Sequence, residues 1–159
     1  MTASDWRHIG WSDWLPLASL TRDLVPSMPG VYRIGLGQAL PRAFGTDPEG
    51  VLDIGKASNL LGRLQAFKAC AETRGKTGHM AGWRYAHFDL QRVFPPKMLK
   101  VCWCVAVSEA SAAEMEAVCL DRYIRRHLEQ PPLNYAASWR LPQDYMAQDD
   151  LGGLDDRSA

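Results

Sequence analysis

The chain has 159 residues, of which 47 % are hydrophobic and 23 % charged, and its 18 Lys and Arg balance 18 Asp and Glu. A chain of this length forms one domain that buries roughly 68–70 % of the surface its unfolded form exposes, and the composition is that of an ordinary globular protein. The longest apolar run, Val101–Val107, falls far short of a membrane span, and the polar opening Met1–Gly10 lacks a secretory signal, so a cytoplasmic protein without membrane association is expected.

Residues 1–28 carry Trp6, Trp11 and Trp14 ahead of Pro26 and read as an extension packing on the domain, with one helix near Ser12–Asp23. Gly30–Leu36 reads as a strand, since Val31 and Tyr32 favour the pleated surface. The Gly-, Pro- and Asp-rich stretch Gly37–Gly50 reads as a long hairpin loop, and Val51–Ile54 as a second strand. Ser58 can cap a helix running to about Cys70, in which Leu60, Leu64, Phe67 and Ala71 recur at helical spacing and face the sheet. Thr73–Gly82 breaks regular structure, and Trp83–Phe88 fits either a helix or an edge strand. Leu99–Val107 is the clearest strand and Glu109–Leu128 the clearest helix, stopped by Pro131-Pro132. Leu133–Tyr135 reads as extended, and the acidic tail 136–159 as partly disordered. The order strand, strand, helix, strand, helix predicts a small α/β sheet flanked by helices, with the domain proper at 29–135. Cys70, Cys102, Cys104 and Cys119 show no C-x-x-C spacing and read as reduced, buried thiols.

The zero net charge hides an asymmetry. Between Lys56 and Lys100 nine Lys and Arg face only Glu72 and Asp89, a net of +7, whereas the stretch from Ala136 onward nets −3. A basic middle is an electrostatic footprint for a polyanion, and equally a solvated surface with mixed loops. On the long helix, at about 100° per residue, Ala112, Ala113, Cys119, Leu120 and Tyr123 lie within about 60° of Glu116, whereas Glu114, Asp121 and Arg125 lie roughly opposite. Glu116 is thus a carboxylate inside an apolar stripe, where it needs a partner: either a structural arginine such as Arg63 or a metal ion. Arg63 sits about 60° off the buried stripe of its helix, at its edge, either snorkelling to solvent or able to grip a phosphate. His79, in Gly78-His79-Met80-Ala81-Gly82, reads as a surface histidine, with titration near neutrality the functional alternative.

Pro29-Gly30-Val31-Tyr32, then Ile54-Gly55-Lys56-Ala57-Ser58-Asn59-Leu60-Leu61-Gly62-Arg63-Leu64, then Glu116 on a later helix and Asn134 after prolines together resemble the GIY-YIG nuclease family over about Pro29–Tyr135. The resemblance implies a three-stranded antiparallel sheet flanked by helices and a divalent-metal-dependent DNA endonuclease. It assigns the catalytic positions to Tyr32, Arg63 and Glu116, with Glu116 holding Mg²⁺ or Mn²⁺, Arg63 stabilising charge on the scissile phosphate and Tyr32 orienting or deprotonating water. Asp53, Lys56, His79 and Asn134 become supporting residues, and Lys56, Arg63, Lys68, Arg74, Lys76 and Arg84 a path for DNA, or for RNA. The chain departs from the pattern at Asp53, where the second motif has tyrosine. That substitution leaves room for a second reading, a nucleic-acid-binding module on the same fold that has lost cleavage. A third is an interaction protein that docks a partner through its tryptophan-rich N-terminus.

Overall fold

The computed structural model describes residues 9–73, 78–135, 140–143 and 145; the basic residues Arg74 and Lys76 and most of the acidic tail lie outside them. In chain order the elements are β1 (Leu15–Pro16), β2 (Gly30–Gly35), β3 (Leu40–Pro41), β4 (Thr46–Asp47), β5 (Val51–Ala57), α1 (Leu60–Thr73), α2 (Met80–His87), β6 (Lys100–Val105) and α3 (Glu109–His127). The fold is mixed α/β. Its main sheet is antiparallel throughout, in the order β1-β6-β2-β5. Four strands replace the three expected, because the N-terminal stretch supplies β1. The helix expected near Ser12–Asp23 is absent: Leu15 precedes a proline, which disfavours the helical region, and Leu15 and Pro16 pair with Val101 and Lys100. Only a 3-10 turn, Leu17–Ser19, follows.

Strand alternation divides the core between the two faces of the sheet. Tyr32, Ile34 and Val101 meet Leu60, Leu64 and Phe67 of α1 and Tyr85 of α2 on one face. Val31 and Ile54 meet Cys119, Leu120 and Tyr123 of α3 on the other. The register shifts between Ile34 and Gly35, so that Leu52 is the extra residue on β5 and turns into the first core. Such a bulge bends the strand locally.

Several boundaries differ from expectation for identifiable reasons. The 37–50 loop folds on itself as the β3–β4 pair, turning at Gly45 (φ 76°). Asn59, not Ser58, caps α1, its Oδ1 accepting the Gly62 amide at 2.9 Å. Segment 83–88 resolves as helix because α2 begins at Met80, capped by His79. Asp121, expected on the solvent side, is buried where it accepts from Arg125 and from the Tyr145 hydroxyl. The thiols are free, with Cys70, Cys102 and Cys119 buried and Cys104 half-buried. Among the described residues no helix is long and apolar enough to cross a membrane.

β5 lies at the sheet edge, yet its backbone groups are not left open. Leu133 donates its amide to the Leu52 carbonyl at 2.8 Å. Asn134 then imitates a strand with its side chain, accepting the Ile54 amide at 3.0 Å and donating to the Ile54 carbonyl at 2.7 Å. This seals the edge against pairing with other chains as far as Ile54, beyond which the Lys56 amide is taken by a side chain of α3, Glu116.

A second buried anchor fixes the β3–β4 excursion. Asp47, 2 % exposed, accepts the amides of Glu49 and Val51 at 3.0 and 2.7 Å, the Arg42 guanidinium and the Tyr123 hydroxyl, the last two at 3.1 Å. Burial alone would push its pKa up, but these four donors hold it below the ordinary carboxylate value. A depressed folded-state pKa contributes stability above the unfolded pKa of about 3.9, lost as pH falls through the folded value. Replacing Asp47 with alanine leaves the buried Arg42 guanidinium unpaired and is expected to cost about 3–5 kcal/mol at pH 7. Denaturant titration checks this: the gap between native protein and variant should close as the pH drops below about 4, where the native carboxylate protonates as well.

Candidate active site

Tyr32 stands on β2 directly opposite Gly55 on β5. A Cβ at position 55 would lie 2.3 Å from the Tyr32 hydroxyl, so the ring crosses the edge strand only because residue 55 has no side chain. The Tyr32 hydroxyl meets His79 Nε2 at 2.9 Å. His79 Nδ1 accepts the Gly82 amide as the cap of α2. An imidazole nitrogen that accepts an amide carries no proton, so in the neutral ring the proton sits on Nε2 and is donated to the Tyr32 oxygen. The Tyr32 proton is thereby left uncommitted to His79, and Tyr32 lies close enough to Asp53 to bear on its ionisation. A directed chain runs from the Gly82 amide through His79 to the Tyr32 oxygen.

His79 therefore differs from expectation twice. It is 3 % exposed, not on the surface, and burial, seconded by the Arg63 charge, lowers its pKa to about 3. It is a fixed neutral group, not a neutral-pH switch. Burial and the nearby Asp53 charge push Tyr32 well above its ordinary pKa; it too stays protonated.

Asp53 is 4 % exposed, and its Oδ2 has no hydrogen-bond partner. Burial, opposed first by the charge of Arg63 and then by Tyr32, raises its pKa to about 7. Glu116 projects from α3. Its Oε1 accepts the Lys56 amide at 3.2 Å, and Lys56 Nζ lies 3.8 Å from Oε2. The partner of Glu116 is thus Lys56 and not the arginine considered above, and burial still holds its pKa above the ordinary glutamate value. Arg63 donates Nη1 to the Gly78 carbonyl at 3.2 Å, while its Nε is buried without a partner.

These side chains share one cleft of about 310 Å³, lined by Tyr32, Asp53, Gly55, Lys56, Arg63, His79, Glu116, Asn134 and Tyr135. Its position follows from the topology. Because β5 is an edge strand, groups from both sheet faces reach its open end: Tyr32 and Arg63 from the α1 side, Lys56 and Glu116 from the α3 side. Asn134 lines the cleft but spends its amide on Ile54, so it holds the wall. Lys68 lies elsewhere, paired with Glu72 along α1 at 3.3 Å. Arg84 is close enough for its charge to bear on Asp53. Tyr135 and Met80 also line the cleft and were not singled out from sequence; the only hint was that they adjoin Asn134 and His79.

Among the described residues no three metal-ligating side chains cluster. The cleft offers two carboxylates, one with an orphaned oxygen. Zinc favours three or four nitrogen and sulfur ligands, whereas Mg²⁺ settles for one or two carboxylates completed by water and substrate oxygens. The donor set fits Mg²⁺ or Mn²⁺.

The raised pKa of Asp53 carries a stability consequence. Between about pH 4 and 7 the folded chain keeps a proton that the unfolded chain has released, so stability falls as the pH rises through that window. Asp53→Asn should remove the slope, melting at the native temperature near pH 4 and several degrees above native at pH 8. Thermal melts across that range decide it; equal melting temperatures at pH 8 would contradict the burial of this charge. No family model, curated protein or solved structure matches this chain, and the functional reading rests on its own residues and geometry.

Proposed function

We propose that the chain is a divalent-metal-dependent endonuclease of the GIY-YIG type that hydrolyses phosphodiester bonds in DNA and works in the cytoplasm. One observation carries the reading: Tyr32, Asp53, Arg63 and Glu116, from β2, β5, α1 and α3, line a single cleft. The small antiparallel sheet with helices on both faces supports it as well.

Phosphodiester hydrolysis needs a group to take a proton from water, donors for the charge that builds on phosphate, and a path that attracts a polyanion. Arg63, which lines the cleft, serves the phosphate oxygens. Lys56, half exposed beside Glu116, adds charge where the strand enters. Asp53 is the proton acceptor, since a carboxyl group with a pKa near 7 has both the basicity and the protonation state that neutral-pH work requires. Tyr32 and His79 orient that carboxylate. The tyrosine missing from the second motif is thus replaced by an acid placed to do the same task. Glu116 is the carboxylate that would hold the metal, which when bound would neutralise charge on the phosphate and lower the pKa of water.

Nicking of supercoiled plasmid with Mg²⁺ or Mn²⁺ tests the proposal. Arg63→Ala and Glu116→Ala should each lose cleavage by about 10²-fold or more, Glu116→Ala with its DNA affinity kept. Asp53→Asn should lose about 10²–10⁴-fold, and the native rate should rise with pH as Asp53 gives up its proton, at an apparent pKa that the bound metal lowers from the value of about 7 in the metal-free chain. Undiminished cleavage by Glu116→Ala would remove the metal-ligand role. A native chain that binds DNA but never cuts it would shift the reading to the binding module that Asp53 could also mark.

A further inference from the structure

Three neighbouring side chains, one of which lines the cleft, are left unused by the chemistry above. Tyr135 lines the cleft and is 59 % exposed, and Phe88, where α2 ends, is 56 % exposed. The Arg84 guanidinium lies 5.2 Å from the Phe88 ring centroid and 5.3 Å from that of Tyr135. Both distances are within cation–π reach but loose beside the 3.9 Å stack of Arg33 on Trp11 in the same chain. Arg84 Nε is buried and has no hydrogen-bond partner. The two rings thus keep much of their surface in water around a cation only partly engaged, next to a cleft suited to phosphate.

We propose that Tyr135, Arg84 and Phe88 form a stacking platform for an unpaired nucleobase of the strand whose phosphate enters the cleft. The proposal rests on the nuclease reading and narrows its substrate class to nucleic acid with a single-stranded segment at the scissile position, such as an overhang, flap or branch. Inside a duplex both faces of a base are covered by its neighbours, so an exposed aromatic wall gains nothing from it. An unpaired base offers a free π-face, which aromatic rings and arginine planes bind with little regard to sequence. The positive rim made by Arg84, Arg63 and Lys56 suits the phosphates on either side of such a base.

The test is equilibrium binding of the full chain, with Ca²⁺ in place of Mg²⁺, to a DNA duplex bearing a single-stranded extension with 2-aminopurine at its first unpaired position. A fully paired duplex and an RNA extension serve as the other arms. Binding should quench the 2-aminopurine, and the extended DNA should bind about tenfold more tightly than the paired duplex, as one stacked base implies. Tyr135→Leu should remove the quench and that tenfold preference without altering affinity for paired DNA, and Tyr135→Phe should restore both. Phe88→Leu is the second variant, and melting temperatures establish that each variant is folded. Equal affinity for the two DNAs, or a quench that survives both leucine variants, overturns the platform. If paired DNA is nonetheless cleaved with Mg²⁺, the nuclease reading survives that failure. A quench without cleavage of any substrate leaves the platform standing and overturns the enzyme, and failure to bind any of the three probes overturns both. A quench confined to the RNA extension keeps the platform and assigns it to RNA.

Discussion

The cleft depends on a side chain that is not there. Gly55 lets the Tyr32 ring lie across the outermost strand, and from that position its hydroxyl meets His79 and bears on the ionisation of Asp53. A methyl group at residue 55 would collide with the ring, and close-packed interiors have little slack to absorb it. Moving Tyr32 would break the link that fixes His79, the cap that begins α2, and the orientation of the buried carboxylate. Packing in the sheet and electrostatics in the cleft are therefore set by the same contact.

The cleft is built from groups that the fold holds in costly states. Tyr32 and His79 are neutral and fully enclosed, so they contribute direction without charge. Asp53 is enclosed with one oxygen unpaired, and Glu116 is only partly compensated by Lys56. Two acids kept above their ordinary pKa values stand beside an arginine with an idle donor. Such a set is poorly explained as a structural ion-pair network, because pairing Arg63 fully with either acid would be cheaper than leaving all three incomplete. Asp47 shows what the same chain does when an acid is only structural: four donors saturate it and its pKa falls.

Edge position reconciles a packed sheet with an open site. Interior strands present their faces to helices and their edges to other strands, leaving no route to the backbone. β5 has one free edge, and the polypeptide covers it selectively, with Leu133 and Asn134 closing the half nearer Leu52 and Ile54. The half at Gly55 and Lys56 is left to side chains, Glu116 taking the Lys56 amide, which is why residues from α1 and α3 can share a cleft there. Asn134 accordingly acts as part of the wall, its amide standing in for a peptide group.

Local chemistry in the sequence sufficed for the elements whose driving force is local. The alternation of β2 and β6, the buried stripe of α1 and the proline stop after α3 could all be read from residue order, as could Arg63 at the margin of its stripe and Glu116 within an apolar one. Pro16 disfavours the helical region at Leu15, but β1 exists because β6 offers it a partner far along the chain. The burial of His79, the pairing of Glu116 with Lys56, and the enclosure of Asp121 beneath Tyr145 are contacts between segments distant in sequence, or depend on which face a neighbour covers. The same holds for the most consequential difference, the state of Asp53. Its identity and its place in the motif were plain from the sequence. Its pKa follows from desolvation and from fields set by β2, α1, α2 and α3 together, and only the folded chain brings those four elements around one carboxylate.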